Sequence, residues 1–259
     1  MVTQYRAWLD GKPLDALPGV CIVGIDESYP QMSTKTEPRG WGAGTTFLTE
    51  ARRSLTVAIR FELPNGTQVE RNAALDMIRA WCAPGWLTIS TRPGKRLRVR
   101  PSDLPTMVNH RYDTTFTVRL TAYEQPYWES ESPALATING SGSETIYTPG
   151  TEKTAVCTLR AENTGSTICN SLTVTVDATV QRFELLGLAP GETLALDYDD
   201  HSLLQIMIRT ADGVERSAYA SRTPESDDDL LAPCGKACTV RVEADGNLKT
   251  TIMARGRWT

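Results

Sequence analysis

The sequence is poor in the groups that most enzyme chemistry needs. It contains only two histidines, His110 and His201, and neither stands in a pattern for nucleophilic catalysis, since no G-x-S-x-G elbow is present. The glycine-rich stretch "GWGAG" at 40–44 lacks the lysine and the Ser/Thr that would hold phosphate and magnesium. No apolar run approaches the roughly 20 residues of a membrane span. The N-terminus, "MVTQYRAWLDGKP", has no apolar signal core. Positive charge is not in excess either. The formal net charge is −4, so no basic field advertises nucleic acid. These absences imply a protein made and kept in a cytosol, with no nucleic-acid and no membrane partner. No residue is assigned to catalysis, to cofactor binding or to a metal.

Cysteines are few and scattered. The six fit a reducing compartment without disulfides. Cys21, Cys82, Cys157 and Cys169 sit in or beside apolar runs and read as small buried hydrophobes. Cys234 and Cys238, in "PCGKAC", flank a turn, and no second cysteine pair or histidine cluster lies near them to complete a zinc site. The two sequons, Asn65-Gly66-Thr67 and Asn139-Gly140-Ser141, read as Asn-Gly turns.

What remains is strand and turn. At 259 residues with 40% hydrophobic and 22% charged residues, the chain has room for two ordinary globular domains. "YRAWLDG" reads as a first strand ending in an Asp-Gly turn, and "GVCIVGID" as a β-branched strand. "SLTVAIRFEL" places Leu55, Val57, Ile59 and Phe61 on one face, the period of a half-buried strand. "WLTIS" and "RLRVR" flank "TRPGK" as a hairpin. Only "QVERNAALDMIRAWC" breaks the pattern. It predicts one helix over about 68–83, with Val69, Ala73, Ile78, Trp81 and Cys82 near helical spacing and Ala74 and Met77 widening the stripe. Asn65 or Thr67 caps its start, and Pro84-Gly85 ends it. The long polar stretch from Tyr29 to Thr46 reads as a functional loop or as disorder.

Composition shifts at "SPALATINGSGSETIYTPGTEKT", 132–154, which is Ser, Thr, Gly and Pro throughout. The expected division is a first β-domain over 1–132, a linker over 133–153 and a β-sandwich over 154–259. In the last part, turns at Asn163-Thr164-Gly165, Pro190-Gly191, Asp212-Gly213 and Asp245-Gly246 punctuate the strands, the last two as hairpins.

Two acidic runs are the remaining candidates for chemistry. "DYDDHS" gathers Asp197, Asp199, Asp200 and His201, and "PESDDDLL" adds a charged stretch at 224–231. Clustered oxygens can hold calcium, but the spacing does not match a calcium loop. Solvated turns explain the same letters.

The strand "FTVRLTAYEQ", 116–125, stops at Pro126, and Tyr127 and Trp128 follow at once. Proline ends a ladder because it has no N–H to donate, and the two rings supply apolar area to anchor the chain where it leaves one domain. With "ENTGS" and "LTVTV" early in the second half, "LGLAPGETLALD" in its middle and the closing "TTIMARGRW", which carries Arg255, Arg257 and Trp258, this order of parts resembles the distal tail protein of long-tailed bacteriophages. The resemblance covers nearly the whole chain. It implies a mainly β protein: an N-terminal β-domain with one helix, then a galectin-like C-terminal β-sandwich.

As to role, the resemblance implies a structural virion protein at the tail tip, assembled in the bacterial host cytoplasm. Such a hub forms a homohexameric ring through its first domain. It meets the tail tube protein on one face and the tail-associated fibre or lysin protein on the other, with receptor-binding proteins as further partners. No catalysis and no cofactor are implied. No stretch is long enough to hold the extra carbohydrate-binding insertion found in some relatives, and an aromatic sugar platform would have to come from Tyr147, Tyr198 or Tyr219. Two rival readings are a carbohydrate-binding module with an accessory β-domain, and a hydrolase using the acidic runs.

Overall fold

The computed structural model describes residues 5–16, 20–29, 32–38, 45–63, 66–104, 115–199 and 203–259. The chain divides into two compact units, Met1–Glu129 with Thr259, and Ser130–Trp258.

The first unit contains β1 (Ala7–Leu9), β2 (Lys12–Pro13), β3 (Cys21–Glu27), β4 (Met32–Pro38), β5 (Thr45–Arg52), β6 (Leu55–Glu62), α1 (Gln68–Trp81), β7 (Gly85–Ile89), β8 (Lys95–Asp103) and β9 (Thr115–Ala122). β10 (Trp128–Ser130) carries the chain across the division. The main sheet runs β2-β1-β7-β8-β9-β6-β3, with β10 added on β8. Its register follows from the expected alternation. Leu55, Val57, Ile59 and Phe61 are buried, as are Phe116, Val118, Leu120 and Ala122 on the facing strand. Phe61 sits opposite Phe116, and the two rings stack with centroids 5.1 Å apart. The β1–β2 turn uses Asp10 and Gly11 at φ 49° and 76°. Two positive φ angles are what a tight hairpin demands, and Asp-Gly tolerates them.

The helix stands where expected and ends at Trp81. Thr67 is its N-cap, in a capping box in which Glu70 N–H donates to the Thr67 hydroxyl at 3.3 Å and Thr67 N–H donates to the Glu70 carboxylate at 2.8 Å. These hydrogen bonds hold the Glu70 carboxyl below its usual range. Asn65, the other candidate cap, lies outside the described residues. The buried face is partly a correction. Ile78 and Cys82 are buried as expected and Leu75 joins them, whereas Val69, Ala73 and Met77 are exposed. The sequence carries two apolar stripes, and periodicity alone cannot say which one meets the core.

A second correction concerns the stretch from Tyr29 to Thr46. Its described residues are not a loop. β4 pairs with β5 in a two-stranded antiparallel sheet of its own, from Met32 opposite Arg52 to Pro38 opposite Thr45. Polar β-branched residues such as Thr34 and Thr36 suit a strand as well as a loop.

The second unit contains β11 (Ala134–Asn139), β12 (Gly142–Thr148), β13 (Thr154–Asn163), β14 (Leu172–Val176), β15 (Thr179–Phe183), β16 (Thr193–Tyr198), β17 (Leu204–Arg209), β18 (Glu215–Ser217), β19 (Leu231–Pro233), β20 (Lys236–Ala244), β21 (Leu248–Ala254) and β22 (Arg257–Trp258). One sheet runs β11-β21-β13-β16-β17-β18, with β19 on β13, and the other runs β12-β20-β14-β15. A single buried cluster joins their inner faces, from Leu159, Leu196 and Ile252 on one sheet to Val174, Phe183 and Val240 on the other. That is a β-sandwich.

The expected linker, 133–153, is therefore wrong. It is mostly β11 and β12, one strand in each sheet, joined at Asn139-Gly140. Ala136, Ile138, Ile146 and Thr148 point inward and are buried, so the Ser, Thr and Gly that looked like a tether are the solvent side of two strands. The Asp245-Gly246 turn is also not a hairpin. It passes from β20 to β21, which lie in opposite sheets. A turn motif reports a change of direction and says nothing about which sheet the chain enters next. The Asp212-Gly213 hairpin does form, with Met207 opposite Ser217.

Asn163, in "ENTGS", holds one end of the sandwich together. It is buried, and its side-chain amide donates to the carbonyls of Thr167 and Leu188, both at 2.8 Å. Its side-chain oxygen accepts the Gly165 N–H at 3.0 Å. Replacing Asn163 with alanine removes all three of these hydrogen bonds at a buried position, although the Leu188 carbonyl still accepts the Cys169 N–H. The expected cost is about 2–4 kcal/mol, read as a lower denaturation midpoint of the intact chain. Limited proteolysis of the native protein is expected to leave 134–148 uncut, and a first cut there would contradict the strand assignment.

Candidate assembly interface

The Pro126-Tyr127-Trp128 stretch becomes an anchor through three contacts within the first unit. Trp128 is fully buried. Its indole N–H donates to the Glu27 carboxylate at 3.2 Å. The same carboxylate oxygen accepts from the Arg92 guanidinium at 2.7 Å, and that guanidinium lies 5.5 Å from the Trp128 ring centroid. Glu27 ends β3 and Arg92 follows β7, so the ring pins three separate parts of the unit. A parallel set stands beside it in sequence. Arg96 stacks on Trp86 at 3.8 Å and pairs with Glu129 at 3.4 Å. Arg92 and Arg96 each face a carboxylate, as a low-dielectric site requires, while the buried Arg96 Nε has no hydrogen-bond partner. The nearby Lys95 ammonium is held below its usual range, first by burial and then by Arg92.

The closing "ARGRW" is built into the second unit in the same manner. Arg255 donates to the carbonyls of Ser130 and Glu131, and Gly256 N–H donates to the Ser130 hydroxyl at 2.8 Å. A Cβ on Gly256 would come within 2.1 Å of the Pro149 carbonyl oxygen. The glycine between the two arginines is thus a close-approach residue. The first and last segments of the unit are tied to each other.

The surfaces left available are of a different kind. β4 and β5 pair only with each other among the described strands, and Thr34 to Glu37 are exposed. A lone two-stranded ribbon is marginal in water, so it suits a contact with another molecule. On α1, Val69, Ala73, Met77 and Ala80 form an exposed stripe at 4-, 4- and 3-residue spacing, with Val69 78% exposed.

The described residues of the acidic runs do not converge on a site. Asp197 points out from β16, while Asp199 accepts the Leu203 N–H at 2.9 Å and closes its turn. Asp200 and His201 lie outside the described residues, as does His110. In the second run, Asp227 accepts the Val180 N–H at 2.6 Å and Asp229 accepts the Tyr198 hydroxyl at 2.9 Å. Burial first, and Asp229 second, raise the Tyr198 phenol above its usual range. These carboxylates fasten loops. Among the described residues no group of three or more His, Cys, Asp or Glu could hold a metal ion, and no helix is long and apolar enough to cross a membrane.

The cysteines are all free. Burial pushes Cys82 up to about 11 and both Cys157 and Cys169 up to about 12, which makes them poor nucleophiles. Cys21 is only half-buried, against its expected place, and Cys238 is buried. The three tyrosines do not gather either. Tyr147 is on β12, Tyr198 is half-buried on β16, and Tyr219 donates its hydroxyl to the Leu204 carbonyl.

Solved structures share this fold. The Dit protein of phage SPP1, described as a paradigm of the hub adsorption apparatus in phages infecting Gram-positive bacteria, superposes with a TM-score of 0.71. The match covers 98% of this chain and 99% of that one, at 11% sequence identity. The fold is that of a phage hub protein. Chains of the phage P2 baseplate in its activated conformation are also similar. The calcium form gives a TM-score of 0.56 over 99% of this chain and 98% of that one, and the strontium form gives 0.54 over 97% of each, both at 11% identity. No family model matches the sequence, and no curated protein does. The hub fold therefore persists here through its pattern of elements and not through residue identity. Sequence reasoning found Trp128 but missed Glu27 and Arg92. Their only signal is a charge near a strand end, which ordinary surface residues share.

The anchor predicts a graded loss. Trp128→Ala is expected to cost about 3–5 kcal/mol and Trp128→Phe, which keeps a ring but removes the N–H, about 1–2 kcal/mol. Chemical denaturation followed by far-UV dichroism measures both, and an unshifted alanine variant would contradict the anchor.

Proposed function

We propose that this chain is a structural protein of a phage or prophage tail, the hub at the tail tip. The observation that carries this reading is the end-to-end likeness to a hub protein, in which neither chain has a domain the other lacks. The first unit forms the ring, with six copies closing about the tail axis. The second unit is the galectin-like half that faces outward and holds adsorption parts. The ring joins the tail tube protein to the tail-associated fibre or lysin protein, and assembly takes place in the host cytoplasm before the protein becomes part of the virion. The role is one of scaffolding, with no reaction assigned to it.

Two features support the ring. A closed ring requires one patch of each copy to meet a different patch of the next. The separate β4–β5 ribbon and the exposed stripe of α1 supply two such patches on the first unit. The rival reading as a carbohydrate-binding module with an accessory domain explains the sandwich but leaves the first unit without a task.

Negative-stain imaging of the purified protein, alone and with the tail tube protein, tests this. Closed six-fold rings are expected. Replacing 32–52 by a short Gly-Ser linker is expected to abolish rings while the melting temperature of the second unit stays unchanged. A protein that remains monomeric with the tail tube protein present would overturn the reading.

A further inference from the structure

The outward face of the larger sheet of the second unit carries a groove of about 420 Å³. Strand register explains it. Arg160 on β13, Ala195 on β16 and Met207 on β17 are direct neighbours across the sheet. Ala195 is the small residue in this row, and long side chains surround it. The row toward one strand end holds Thr193 beside Arg209, which is opposite Glu215. The row toward the other end holds Asp197 beside Gln205. The result is a low apolar floor of Ala195 and Met207 inside a polar rim.

The rim holds both signs in equal number: Arg160 and Arg209 against Asp197 and Glu215. Arg209 is already engaged, because its Nε donates to the Glu215 carboxylate at 2.9 Å. Arg160 has no hydrogen-bond or ion-pair partner among the described residues. Among the described residues, the Asp197 carboxylate accepts only the N–H of the next residue, Tyr198, at 2.9 Å. Donors and acceptors therefore alternate around the floor, at the spacing of about 4.8 Å between strands and about 6.8 Å along them.

This balance selects a ligand class. An anion meets Asp197 and Glu215, and a cation meets Arg160 and Arg209. A peptide strand gains nothing here, because the backbone groups of β16 and β17 are spent on their neighbours and only a sheet edge can add a strand. A neutral ring with hydroxyls in several directions can donate to the carboxylates, accept from the guanidinium and amide, and rest its C–H face on Ala195 and Met207. We infer that this groove is a binding site for a neutral saccharide segment. The inference concerns the second unit alone, so its failure leaves the hub reading standing, and failure of the ring leaves the groove untouched.

The test uses the full chain and neutral tetrasaccharides of glucose, galactose and N-acetylglucosamine, with a heparin tetrasaccharide as the anionic control. Saturation-transfer difference NMR is expected to show saturation reaching the ring protons of at least one neutral sugar. Ala195→Trp fills the floor and is expected to abolish the transfer, and Arg160→Ala to weaken binding at least about tenfold. Both side chains point outward from the sheet, so the melting temperature of each variant is expected to match the parent and shows that the loss is local. Three results would overturn the inference: no transfer to any neutral sugar, transfer only to heparin, or transfer that survives Ala195→Trp. Groove amides protected from exchange in assembled tails, with no sugar response by the free chain, would assign the face to a protein partner instead.

Discussion

One half-buried carboxylate sets the terms for the first unit. Glu27 takes both the indole N–H of Trp128 and the guanidinium of Arg92 on the same oxygen. Remove it and Trp128 is left with a buried donor and Arg92 with an uncompensated charge, each of which costs more than the bond that satisfied it. Because the three residues come from the end of β3, the β7–β8 turn and the start of β10, one interaction fixes the place where the chain leaves the unit. The second unit follows the same logic at its own ends, where Ser130 holds Arg255 and Gly256.

Energetically the two units are secured in different ways. The sandwich rests on a large apolar cluster between its sheets, and its loops are then tied by single polar residues such as Asn163. The first unit adds aromatic and ionic contacts, Phe61 on Phe116 and Arg96 on Trp86, to its sheet. In the second unit, Asp199 and Asp227, from runs that look like a catalytic or metal cluster in the sequence, are used to fasten backbone amides. This is why the acidic runs give no site: a carboxylate that accepts from a loop amide is held away from its neighbours.

The parts of the fold legible in the sequence are those set by local period and local turn chemistry. Leu55 to Phe61 and Phe116 to Ala122 alternate cleanly, and both are buried as their pattern requires. Thr67 caps the helix because its hydroxyl and Glu70 are three residues apart. What was not legible depended on the partner. The helix buries Ile78 as its spacing required, but only packing chose Leu75 over Val69 and Met77. The segment 133–153 has the composition of a tether because its strands hide few residues and show many. The Asp245-Gly246 turn is the same whether its strands pair or part. The groove was beyond reach, since Arg160, Ala195 and Met207 meet only through strand register. The aromatic stop at Trp128 was legible as an anchor, but the charges that complete it were not.

The central claim is that this chain occupies the tail tip of a phage particle. Immunogold labelling of intact particles with an antibody against the second unit measures this directly. Gold confined to the tail end distal to the head is the predicted result. Gold on the head or along the tail shaft, or particles that carry no label while the protein is found free in the lysate, would contradict it.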